Sequence, residues 1–195
     1  PRIKAIPITG AGTNYGFDDG SGGFTSDYIN ATSFTDASGN IQLNATGHGM
    51  ANGTALVLST SGNLPAGLSK TVLYFVVSTA TNSLELATTS GGTSIAVTGT
   101  DLGDGTPSYN GCIIHGTGGG GTGFYATYGV NTSTGAITSV TIGNPGSGYT
   151  TDPTLVVSDP GAAVAGSGAT FTITRDLGGI ATTVEWVLEM QHRNQ

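Results

Sequence analysis

Short apolar runs recur along this chain, separated by clusters of Gly, Ser, Thr, Asn and Asp. No window of about a dozen residues carries apolar positions at helical spacing. The pattern predicts strands at 41–43, 55–58, 73–77, 83–87 and 94–97. Turns are marked by Ser38-Gly39-Asn40, Asn52-Gly53, Ser61-Gly62-Asn63, Thr81-Asn82 and Gly91-Gly92. A second set is predicted at 111–115, 124–130, 136–142, 154–158 and 169–175. There Ser133-Thr134-Gly135 reads as a hairpin turn, and Asn144-Pro145-Gly146-Ser147-Gly148 as a rigid turn before an aromatic anchor, Tyr149. Many short strands at spacings of about ten residues argue for an all-β chain of barrels or sandwiches. The expected organisation is two small antiparallel β-modules in tandem, 31–107 and 108–176, between extended terminal arms at 1–30 and 177–195.

The two ends differ from the middle. Ile3, Ile6 and Ile8 form a short extended run, and Pro7 argues against a central strand there. The run reads as an arm that orders against a neighbour, followed by a loop at 16–23. At the other end Val184, Trp186, Leu188 and Met190 alternate with Glu185, Glu189 and Gln191, a half-buried strand pattern. A helix starting at Thr182, with Glu185 as its capping-box partner, is the alternative. Trp186 is the only tryptophan, and large aromatics anchor interfaces. Ile3, Ile6, Ile8, Trp186, Leu188 and Met190 are therefore the interface candidates, with burial of the tail in the chain's own core as the competing reading.

Composition sharpens the picture. Of 195 residues 34 are glycine, and only 9% are charged. Disordered chains are richer in charge and poorer in β-branched residues, so this one reads as folded. The formal net charge is −7, and the five basic residues are scattered, which disfavours a nucleic-acid surface. No apolar run is long enough for a membrane span. Pro1-Arg2-Ile3-Lys4 lacks a signal-peptide core, and Pro1 reads as the residue left by removal of an initiator Met, so synthesis in the cytoplasm is expected. The single cysteine, Cys112, reads as a small buried hydrophobe.

Motifs that could carry chemistry are weak. Gly116-x-Gly118-x-x-Gly121 fits a dinucleotide fingerprint formally, but the following Phe124-Tyr125-Ala126 predicts a strand where that motif needs a helix. Asp18-Asp19-Gly20 and Asp101-Leu102-Gly103-Asp104 lack the spacing and terminal Glu of a calcium loop. His48, His115 and His192 are far apart, and His48 in its Gly-flanked turn reads as a turn-closing residue. Phe124, Tyr125, Tyr128 and Tyr149 suggest either a sugar platform or the main apolar mass of a thin core. The expectation is no catalytic, metal or cofactor site.

Two strings carry a resemblance. Gly47-His48-Gly49, then Leu64-Pro65-Ala66-Gly67-Leu68, Leu73-Tyr74-Phe75-Val76-Val77 and Ser83-Leu84-Glu85-Leu86-Ala87 resemble an FCCH-like β-module of tailed-bacteriophage virion proteins. That module is similar to the small, non-catalytic β-barrel insert of ubiquitin-activating enzymes. Asn144-Pro145-Gly146-Ser147-Gly148-Tyr149 resembles a Gly-rich repeat of phage tail, baseplate, fibre and head-surface proteins. Within that second module, Gly121-Thr122-Gly123-Phe124 echoes Gly166-Ser167-Gly168-Ala169. The resemblance implies a non-enzymatic virion protein, first of all a capsid decoration on the head surface. Tail, neck, baseplate or fibre placement is the alternative, and a carbohydrate-binding or carbohydrate-active phage protein a further one. Implied partners are the major capsid protein or tail and baseplate subunits, and further copies of the chain, with a trimer as one symmetric form.

Overall fold

The computed structural model describes residues 1–18, 21–160 and 166–176. These residues are all-β, with every strand pair antiparallel. In chain order the strands are β1 (Arg2–Ala5), β2 (Ile8–Thr13), β3 (Phe17–Asp18), β4 (Phe24–Thr25), β5 (Ile29–Asn30), β6 (Ser33–Ala37), β7 (Asn40–Asn44), β8 (Ala55–Thr60), β9 (Tyr74–Ala80), β10 (Ser83–Ala87), β11 (Pro107–Asn110), β12 (Ile113–Thr117), β13 (Thr122–Val130), β14 (Ile137–Ser147), β15 (Thr154–Ser158), β16 (Ser167–Phe171) and β17 (Thr174–Asp176).

Seven strands from residues 29–110 form one sheet in the order β5-β11-β8-β9-β10-β7-β6. Its two end strands are consecutive in sequence. β5 pairs with β11 and β6 pairs with β7. Between them the Ala31 amide donates to the Pro107 carbonyl at 2.8 Å and the Thr32 amide to the Asn44 carbonyl at 2.7 Å. One extended stretch thus joins both edges, so the sheet closes into a barrel with no open edge. Alternation places Leu43, Leu84 and Leu86 inside, with Leu56, Leu58, Tyr74, Val76 and Tyr109. Between β6 and β7, Ser38 and Gly39 both have positive φ, and the Asp36 carboxylate accepts the Gly39 amide. That is the two-residue hairpin chemistry that the turn signal predicts.

A four-stranded sheet, β14-β13-β12-β15, follows in residues 113–158. One face carries Ile114, Phe124, Ala126, Tyr128 and Ile137, against which Ile3, Ile6, Tyr15 and Phe17 from the N-terminal region pack. The ribbons β1–β17 and β2–β16 are separate two-stranded sheets, and β1 and β2 lie against β14. The opposite face carries Ile113 and Tyr125, which pack on Ala55, Val57 and Phe75 from the outside of the barrel. β8 is therefore buried on both faces, and so is β12. The larger apolar cluster runs through the barrel and the second sheet without interruption.

This arrangement corrects the reading of residues 1–30 as an arm. Ile3 and Ile6 are buried in the chain's own core, and half-buried Ile8 packs against it. The physical reason is pairing over long sequence separation: β1 and β2 find partners in β17 and β16. Pro7 falls between β1 and β2, where its missing amide proton costs no ladder bond. The predicted strand at 94–97 reduces to an isolated bridge between Ala96 and Asn40. Of the expected rigid turn at 144–148, residues 144–147 are instead the end of β14, where Pro145 lies opposite Phe124. Proline is tolerated there because β14 is an edge strand in its sheet. Trp186, Leu188, Met190 and the strand-or-helix question at 182–191 lie outside the described residues, as does His192.

Candidate functional site

The segment ending in Tyr149 builds a lock. Asn144 Oδ1 accepts the Gly146 amide at 2.9 Å, and Gly146 takes φ of 62°. The chain then turns back so that the fully buried Tyr149 ring lies against Gly121 and Gly146. A Cβ on Gly146 would stand 2.7 Å from that ring, so only glycine fits. The Phe124 amide donates to the Tyr149 hydroxyl at 3.3 Å. Outside the lock, the Tyr149 carbonyl accepts from Arg175, whose Nε pairs with Asp152 at 2.6 Å.

The N-terminal region repeats this lock, which the sequence reading missed. Tyr15 lies against Gly12, where a Cβ would again stand 2.7 Å from the ring, and against Gly166. The Ala169 amide donates to the Tyr15 hydroxyl, also at 3.3 Å. The backbone matches: φ is 61° at Gly12 and 62° at Asn14, against 62° at Gly146 and 79° at Gly148. The pairing register matches too. Ser167, Ala169, Thr170 and Phe171 oppose Thr13, Ala11, Gly10 and Ile8, just as Thr122, Phe124, Tyr125 and Ala126 oppose Ser147, Pro145, Asn144 and Ile142. Both ladders slip at the same place, between Thr170 and Phe171 and between Tyr125 and Ala126. The detectable signal was Ile8-x-x-x-Gly12-x-x-Tyr15 beside Ile142-x-x-x-Gly146-x-x-Tyr149. β2 and β16, near the two ends of the described chain, thus form a second copy of one structural unit.

The remaining candidates resolve into structural roles. His48 is buried; its Nε2 lies 2.8 Å from the Ala80 carbonyl while Nδ1 accepts the Met50 amide at 3.0 Å, which fixes the Nε2–H tautomer. It closes its turn onto the β9–β10 hairpin. Asp101 accepts the Gly103 amide and closes its turn, and Asp104 accepts the Asn63 amide and ties its loop to the one after β8. The glycine run at 116–121 connects β12 to β13 and leads into a strand. Among the described residues, no three His, Cys, Asp or Glu side chains gather as metal ligands. Cys112 is fully buried, and desolvation pushes its thiol up to about 12. Phe124, Tyr125, Tyr128 and Tyr149 are all buried, which removes them as an exposed sugar platform.

Two surface features remain. Among the described residues β14 has one paired neighbour in its sheet, and residues 137–147 carry no charged side chain. The second feature is a cavity of about 460 Å³ between the barrel and the four-stranded sheet. Leu73 and Phe75 come from the barrel side, and His115, Thr122 and Asn144 from the sheet. His115 meets Phe75 edge-on, with centroids 5.3 Å apart, and desolvation lowers its pKa. No protein-family model, curated protein or solved structure matches the chain.

Proposed function

We propose that this chain is a non-enzymatic structural protein of a tailed-phage virion, most favourably a capsid decoration on the head surface. The resemblance of its two strings to virion β-modules motivates the reading. The observation that carries it furthest is the twice-built tyrosine lock. One copy ties β13 to β14; the other ties β2 to β16, near the beginning and end of the described chain. A chain whose distant segments are interlocked in this way resists being pulled apart strand by strand, which suits a component that reinforces a particle.

Attachment is assigned to β14, whose one paired neighbour among the described residues is β13; a long uncharged strand of this kind suits addition of a strand from a neighbouring subunit. The neighbour is the major capsid protein on the decoration reading, or a tail or baseplate subunit on the alternative.

The test is mild dissociation of purified particles, separate recovery of heads and tails, and quantitation of this chain in each. Copies in the hundreds on heads support decoration. A few dozen or fewer on tails move the protein to the neck, baseplate or fibre. Absence from washed, intact particles overturns the virion reading.

A further inference from the structure

The cavity between the barrel and the four-stranded sheet shares one residue, Asn144, with the strand proposed for attachment, and its chemistry is selective. Leu73 and Phe75 supply apolar surface. The exposed Thr89 and the hydroxyl of Thr122 stand at its rim. Among the described residues no Lys, Arg, Asp or Glu lines it. A phosphate, carboxylate or ammonium group would enter without a counter-charge, and burying an unpaired charge is costly.

Two directional groups remain available. Asn144 Oδ1 is already occupied by the Gly146 amide, which fixes the amide plane and leaves Nδ2 as a donor. Among the described residues His115 makes no hydrogen bond to protein, and its contact is the Phe75 ring edge. A neutral imidazole offers one donor and one acceptor, the complement of a hydroxyl group. His115 pairs with Tyr125, and Tyr125 with Asn144, so the two groups sit two strands apart, about 10 Å. Apolar surface with a few placed polar groups is the usual make-up of a small-molecule site, and the volume lies in the usual range.

We infer that this cavity binds a neutral oligosaccharide, with apolar sugar faces against Leu73 and Phe75 and hydroxyls on His115 and Asn144. Neutral sugars combine apolar ring faces with hydroxyls that both donate and accept, which matches this lining. The inference is independent of where the protein sits in a particle.

The test starts from the full chain on an array of neutral and acidic oligosaccharides. The best neutral binder, and maltotriose, chitotriose and trigalacturonate as fixed probes, are then titrated while the histidine imidazole resonances are followed by NMR. The expected result is binding of a neutral sugar that shifts His115 and leaves His48 unmoved, with no response to trigalacturonate. Thr89→Trp, at an exposed rim position, should weaken binding about tenfold or more without unfolding the protein. His115→Gln should weaken it as well. The inference is overturned by no neutral response at millimolar sugar, by preference for acidic sugars, or by unchanged affinity in a folded Thr89→Trp variant.

Discussion

Tyr149→Ala is the sharpest test of the lock. The side chain is fully buried, packs on Gly121 and Gly146, and accepts the buried Phe124 amide. Truncating a buried aromatic costs about 3–5 kcal/mol, because the cavity left behind collapses only in part. Here both neighbours are glycines with no side chain to move into the space, which favours the upper half of that range. Tyr149→Phe keeps the ring and removes only the hydroxyl, leaving the Phe124 amide without its acceptor at a cost of about 1–2 kcal/mol. Against a total stability of roughly 5–15 kcal/mol, the alanine variant should stand near the edge of folding and the phenylalanine variant well inside it. Urea denaturation read by far-UV circular dichroism separates the two, and the alanine variant's Tm should fall by roughly 6–20 °C. Tyr15→Phe should reproduce the Tyr149→Phe loss, since its hydroxyl accepts the Ala169 amide at the same 3.3 Å. A loss below about 1 kcal/mol for Tyr149→Ala would refute the reasoning.

Other expectations are simpler to state. Cys112, with its thiol raised to about 12 by burial, should not react with a thiol reagent at pH 8 in the native protein and should react on unfolding; fast native labelling would contradict its burial. Asp159 bridges the Gly16 and Gly166 amides, and desolvation raises its pKa despite those bonds. The folded state therefore holds this proton more tightly than the unfolded state. Its stabilising contribution is fully present below the ordinary carboxyl pKa and is lost as pH rises through the raised value. Relative to Asp159→Asn, native stability should fall over that window, and a rise would refute the sign. Deleting residues 1–10 removes buried Ile3 and Ile6, strips β17 of its partner and takes Ile8 and Gly10 away from β16, so cooperative unfolding should be lost or sharply weakened; a deletion variant with unchanged denaturation would restore the arm reading.

Much of the strand content was legible locally. The runs at 83–87 and 154–158 coincide with β10 and β15, because the first alternates apolar and polar residues, the second is a short apolar, β-branched run, and turn residues bound both. β6 and β11 escaped notice. Ser33-Phe34-Thr35-Asp36-Ala37 has no apolar run, and its strand character comes from pairing with β7. The burial of His48 in a closed turn could be anticipated from its glycine neighbours, whereas the cavity at His115 could not. That cavity exists only because Phe75 from the barrel meets the outer face of the second sheet.

By itself the sequence determined the all-β class, most turn positions and the aromatic anchor at Tyr149, since these follow from side-chain period and backbone preference over a few residues. The tertiary structure alone decided the fate of the N-terminal region. Ile3, Ile6 and Ile8 read identically whether they serve a neighbour or their own core. Pairing across about 160 residues, between β2 and β16, is what commits them to the core, and no local pattern encodes which distant edge a strand will meet.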